Sequence, residues 1–133
     1  MDTQNNLQVI QDLYAAFGRG DMPAILNLLA EDVDWFFNGQ PSDIPFAGRR
    51  HGHAQMIEFF TIVAQSCEVH EFGAKEMMAF EDKVLSLGHE RVGVRATGKV
   101  FASDWAHLFT IQDGKIVQLR EYYDTAAVAA AFR

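Results

Sequence analysis

Three features of the 133-residue chain predict an α+β fold, with N-terminal helices packed on the concave face of a curved antiparallel sheet. Helical apolar spacing is confined to the first half and a short tail. Long segments rich in β-branched and aromatic residues fill the second half. The last two of these flank Gln112-Asp113-Gly114 and read as a hairpin running into a helix cap. Helices first and strands afterwards is the pattern of an α+β domain whose helices sit on one side of the sheet. Such a sheet, curved around its helices, leaves a pocket at its open end.

Leu7, Ile10, Tyr14 and Phe17 recur at helical spacing, with Leu13 beside them, and predict a first helix over Thr3 to Gly18. Gly20 suits a left-handed exit. Asp21 can cap a second helix with Pro23 in its first turn, where a missing N–H costs little. Val33 to Phe37 reads as a short strand. Asn38 to Gly52, with Pro41, Pro45 and three glycines, reads as a loop. A third helix is expected at about His53 to Gln65, with Met56, Phe59, Phe60 and Val63 inward. Strands are expected at about Cys67 to Phe80, Lys83 to Arg95, Lys99 to Ile111 and Lys115 to Tyr123. Asp124 then caps a final short helix in which Val128 and Phe132 lie one turn apart.

The length predicts one domain over residues 1–133, large enough to bury its own core. A formal net charge of −7 with scattered Lys and Arg leaves no basic stripe, so nucleic acid is set aside as a partner. No signal-like start is visible, and no apolar run approaches the roughly 20 residues that span a bilayer. No membrane association is expected. The single Cys67 excludes an internal disulfide, lacks a cue for activation and fits a reducing, cytoplasmic compartment.

The turn of the closing hairpin decides which side chains share a face. A two-residue Asp113-Gly114 loop pairs Gln112 with Lys115 and sets His107 opposite Arg120. A three-residue loop pairs Ile111 with Lys115. It then joins Trp105, His107, Phe109 and Ile111 to Val117, Leu119, Glu121 and Tyr123 on one apolar face. A one-residue slip exchanges the faces, and the coherent apolar face favours the three-residue loop. Glu121 then lies opposite Trp105 and diagonal to His107.

Several stretches carry a family resemblance that covers nearly the whole chain. They are Leu13-Tyr14-Ala15-Ala16-Phe17 with Gly20-Asp21, Leu29-Ala30-Glu31-Asp32-Val33, Pro45 through Gly52, Asp113-Gly114-Lys115-Ile116, and Arg120-Glu121-Tyr122-Tyr123-Asp124-Thr125. With the order of elements, they resemble the nuclear transport factor-like fold of ketosteroid isomerase, limonene epoxide hydrolase and SnoaL-like polyketide cyclases, the SnoaL-like branch above all. The resemblance aligns the isomerase's aspartate base with Phe37, its oxyanion-hole aspartate with about His107 and its tyrosine with Leu13. Steroid isomerisation by that mechanism is therefore not expected. The epoxide hydrolase's last-strand aspartate aligns with Glu121, and Arg91 partly echoes its arginine. The resemblance also implies a homodimer through the outer sheet face, here Ala106, Leu108, Thr110, Ile116, Gln118 and Tyr122.

Glu121 and His107 are the candidate acid–base residues. An inward Glu is costly to ionise unless paired, so it is either a poised base or half of a structural ion pair. His107 is either a satisfied buried histidine or a donor aimed into the cavity. Tyr14 and Tyr123 are candidate hydrogen-bond donors. Tyr14, Trp35, Phe37, Trp105 and Tyr123 are expected in the wall, and His89 and Arg91 at the mouth or fraying into solvent. His51 and His53 with Asp43 fall short of a metal site. No metal or cofactor is expected. These features suggest a cavity for a small apolar or polycyclic molecule. Two uses fit it: cofactor-independent isomerase or cyclase chemistry on a carbonyl compound, with water addition to an epoxide as a variant, or non-catalytic binding or dimerisation.

Overall fold

The computed structural model describes residues 2–133. Within them run helices α1 (Thr3–Gly18) and α2 (Met22–Leu28), strands β1 (Leu29–Phe37) and β2 (Gly48–His51), and helix α3 (Gly52–Ser66). Strands β3 (Cys67–Phe80), β4 (Lys83–Val94), β5 (Val100–Gln112) and β6 (Lys115–Tyr123) follow, and helix α4 (Thr125–Ala131) ends the chain. The strands form one curved, unclosed sheet in the order β2-β1-β6-β5-β4-β3. The loop expected over Asn38 to Gly52 holds strand β2, which pairs with β1.

The sheet is mixed rather than wholly antiparallel. β1 runs parallel to β6, and every other neighbouring pair is antiparallel. The cause is the chain path. α3 carries the chain to the far edge, and the four-strand meander β3 to β6 returns with its last strand beside β1 and pointing the same way. β3 bulges at His70 and Lys75, each left without a register partner on β4. Such bulges bend a strand and help the sheet curl.

Local signals set the helix ends. Asp2 accepts from the N–H groups of Gln4 and Asn5, Asp21 from that of Ala24, and Asp124 from that of Ala127. The face of α1 carrying Ile10, Leu13 and Ala16 is buried over the sheet, as are Met56 and Phe59 of α3. Val33, Trp35, Phe109 and Leu119 meet them from the strands.

The closing hairpin departs from its expected turn and keeps its expected face. Asp113 and Gly114 both have positive φ, 51° and 75°, and form a two-residue turn with Gln112 opposite Lys115. Ile111 pairs with Ile116, and Thr110 then pairs with Gln118. Val117 is the extra residue of a β-bulge. The bulge shifts the register by one and reverses the parity that the turn alone would impose. His107 consequently lies directly opposite Glu121, not diagonal to it, and Trp105 opposite Tyr123. Ile116, below the bulge, is fully buried rather than on the outer face.

On β4 the inward residues are Val84, Ser86, Gly88, Glu90, Val92 and Val94. Gly88 fixes this phase. A Cβ there would lie 2.2 Å from the Trp105 ring and 2.4 Å from the Gly73 carbonyl oxygen. Only glycine lets the indole lie flat against the strand. Gly88→Ala is expected to destabilise the fold by about 2 kcal/mol or more, because backbone as well as side chain must move. Gly73→Ala, where an added Cβ meets nothing within 4 Å, should stay within about 0.5 kcal/mol of the native protein. Urea unfolding of the two variants checks the pair.

Candidate functional site

β5 and β6 bring His107 and Glu121 together at the floor of the sheet's inner side. Both are almost wholly buried, 5% and 4% exposed. His107 Nε2 is hydrogen-bonded to Glu121 Oε2. On the other side of the ring, His107 Nδ1 lies 2.8 Å from the Tyr14 hydroxyl, which α1 delivers from above. Trp105 stacks on the imidazole with ring centres 4.0 Å apart, and Phe72 stacks on Trp105 at 5.0 Å. The imidazole is thus fixed by two hydrogen bonds and an aromatic stack.

Burial decides the charge of this pair. It pushes His107 down to about 3 and Glu121 well above its ordinary 4.5. Both shifts favour the uncharged forms. The Glu121 carboxyl then donates from Oε2 to His107 Nε2, and His107 Nδ1–H donates to the Tyr14 oxygen. The Tyr14 O–H is then the donor that ends the series, with the buried Ser86 side chain beside it as a further hydrogen-bonding neighbour. Burial also pushes the Tyr14 phenol up, so it stays protonated.

These groups border a pocket of about 90 Å³, room for several waters or one small ring. Phe17, Phe59, Phe60 and Phe72 supply much of its wall, and Trp35, Phe37 and Tyr123 complete one side. Trp35 and Phe37 stack on each other at 6.5 Å and 9°. Buried polar atoms without partners include Trp35 Nε1 and Tyr123 Oη. The wall is therefore aromatic, with its polar groups concentrated on the strands.

Tyr14, Trp35, Phe37, His107, Glu121 and Tyr123 all border this pocket. Trp105 is not in its wall; it stacks on His107 and Phe72 over Gly88. His89 and Arg91 are not at the mouth. They fall on the outer face of β4, because Gly88 sets the opposite phase. There His89 bonds Asp104 at 2.8 Å, and Arg91 reaches His70 at 3.2 Å. Tyr14, rather than Leu13, meets His107. Cys67 borders the pocket with its thiol pushed up by burial. His53 Nε2 is hydrogen-bonded to the Leu29 carbonyl oxygen at 2.9 Å. Among the described residues, no group of three His, Cys, Asp or Glu side chains is placed to hold a metal.

Glu90 is the pocket residue that sequence reasoning missed. Burial pushes its carboxyl up to about 8. Its signal was alternation on β4, hidden because the outer positions Leu85 and Leu87 are the more apolar ones.

The SnoaL-like domain family matches residues 10–119. An NTF2-like protein from Burkholderia xenovorans LB400 is 34% identical, with a TM-score of 0.92 over 100% of this chain and 99% of that one. An NTF2-like protein from Burkholderia pseudomallei K96243 is 28% identical, with a TM-score of 0.89 over 99% and 98%. TerC, crystallised with polyporic acid, is 26% identical, with a TM-score of 0.86 over 96% and 98%. No curated protein matches the chain. Among the described residues no helix is long and apolar enough to cross a membrane.

Three of the shifted groups, Glu121, Glu90 and His107, set a pH dependence of stability below about pH 8. Above about pH 4.5 the unfolded chain releases glutamate protons that folded Glu121 and Glu90 keep, so stability falls as pH rises toward 8. Below about 6.5 the unfolded chain binds a His107 proton that the fold refuses down to about 3, so stability falls with acid. Two carboxyls outweigh one imidazole between 4.5 and 6.5, which places the maximum from these groups near pH 4.5. Glu121→Gln keeps a donor toward His107 and removes one titration. Its melting temperature should decline less than the native protein's between pH 4.5 and 8. Equal declines in thermal melts would contradict an uncharged Glu121.

Proposed function

The chain belongs to the SnoaL-like domain family, and on that premise we propose that it binds a small, largely aromatic carbonyl compound and catalyses proton transfer on it without a cofactor. The observation that carries this reading is the hydrogen-bonded series Glu121–His107–Tyr14 at the edge of an aromatic pocket. In its uncharged form the series ends in the Tyr14 hydroxyl. A ketone oxygen at that hydroxyl would gain negative charge as its α-proton leaves. A preorganised donor in a dry site stabilises such charge strongly. Glu121 and His107 act as the acid–base relay that keeps Tyr14 supplied with a proton. Isomerisation and cyclisation both begin with such an enolisation. The similarity to TerC, crystallised with polyporic acid, supports a small organic ligand.

A non-catalytic binding role is the second reading. Phe37, where the isomerase resemblance calls for an aspartate, packs edge-on against Phe59 at 4.7 Å and supplies no base. On the outer face, half-buried Leu85, Leu87 and Leu108 with exposed Tyr122 support association of two copies.

The experiment is deuterium exchange at the α-carbon of 1-indanone in D2O, followed by proton NMR. The native protein should accelerate exchange, and Tyr14→Phe should lower the catalysed rate by about 100-fold or more. Binding without exchange would select the non-catalytic reading.

A further inference from the structure

The inner pocket continues beyond its rim. A second recess of about 330 Å³ opens between the end of α1 and the middle of β3. Tyr14, Phe17, Val69 and Phe72 line both spaces, so the two are adjoining chambers with a common wall. Val69 is 41% exposed and marks the doorway between them. Beside it Phe17 and Phe72 meet edge-on, with ring centres 5.4 Å apart.

The bulge at His70 creates this arrangement. Val69 opposes Val92 and Phe72 opposes Glu90, both inward positions of β4. Side chains three apart on a regular strand face opposite ways. The extra residue His70 puts Val69 and Phe72 on the same side. Ala74, opposite Gly88, shares that side and brings only a methyl group. On α1, Gly18 lies one turn beyond Tyr14 on the same face. A Cβ at Gly18 would meet nothing within 4 Å. One small residue on each wall therefore leaves the recess open.

The recess suits a narrow chemistry. Tyr14 is the one ionisable side chain among the described residues that line it. The nearby Glu68 and Glu71 take the outward phase, opposite Gly93 and Arg91. A charged group seated here would give up water and gain no partner. The rings of Phe17 and Phe72 offer an aryl group edge and face contacts instead. The inner pocket, with room for one small ring, is too short to use this surface by itself.

We propose that the ligand has two parts: a ketone-bearing ring in the inner pocket and an uncharged aryl arm seated in the recess between α1 and β3. The proposal rests on the ligand-binding reading of the inner pocket and adds the class of molecule it selects. Ala74 and Gly18 then determine specificity, because bulk at either would exclude the arm. Neither borders the inner pocket.

The test compares two ketones on the intact protein, 1-indanone and 2-benzyl-1-indanone, by isothermal titration calorimetry. The native protein should bind the benzyl compound at least about tenfold more tightly, from the apolar area its phenyl ring buries. Ala74→Leu and Gly18→Leu should each lose at least about tenfold in affinity for the benzyl compound and keep that for 1-indanone within about threefold. A native protein with no preference for the benzyl compound overturns the proposal. So does a preference that survives in every variant that folds, and the two substitutions lie on different elements so that either one decides. If Ala74→Leu changes the oligomeric state in sedimentation and leaves the preference intact, the recess belongs to a second copy and the arm is again overturned. Exchange at the α-carbon of 1-indanone, followed on the same samples, tests the proton-transfer reading separately. Exchange without the preference removes only the arm, and the preference without exchange removes only the catalysis. Binding of neither ketone overturns both.

Discussion

Everything distinctive about this pocket depends on one hydrogen bond, between His107 on β5 and Glu121 on β6. It exists because a single extra residue, Val117, restores the parity that a two-residue turn would have broken. Without the bulge, His107 would oppose Arg120 and Glu121 would face away from the pocket. With it, an imidazole and a carboxyl are pressed together where water does not reach. Burial then makes the pair uncharged, and an uncharged pair has a direction: carboxyl to imidazole to phenol. The geometry of a bulge is thereby converted into the chemistry of a tyrosine hydroxyl.

The face of this hairpin was legible in the sequence, although the turn was not. Alternation of Trp105, His107, Phe109 and Ile111 against Leu119, Glu121 and Tyr123 reports which side chains are buried together. It does not report how the chain arranges that. A three-residue loop and a two-residue loop plus a bulge give the same parity. Asp113-Gly114 has the chemistry of the tighter turn, and the bulge carries no residue signature of its own. Pattern therefore outweighed turn type in the final structure, and the register shifted so that His107 and Glu121 pair directly.

β4 misled for the opposite reason. Leu85 and Leu87 make the face that also carries His89 and Arg91 look like the core face. The inner face instead holds Ser86, Gly88 and Glu90, a poor apolar pattern. Its phase is set across the sheet, by the Trp105 ring lying where a Cβ at position 88 would be. Such a constraint is non-local, and no window along β4 contains it. The parallel β1–β6 pairing escaped for a similar reason, since it follows from where the meander ends rather than from any residue within β1. The helices were easier, because their caps and apolar stripes are local.

The same non-local packing explains why the pocket can hold so many protonated acids. Gly88 admits Trp105, Trp105 stacks on His107, and Phe72 stacks on Trp105. This column of rings shields the Glu121–His107 bond from water while Tyr14 stays at the pocket's edge. Removing water lowers the local dielectric, which strengthens the internal hydrogen bonds and raises the cost of any unpaired charge. Glu121 answers that cost by keeping its proton and donating it to His107. Glu90 has no such partner, and its lesser burial is the one relief available to it. Two carboxyls in one aromatic pocket are thus held in different states by packing alone, one committed to the relay and the other left to titrate near neutrality.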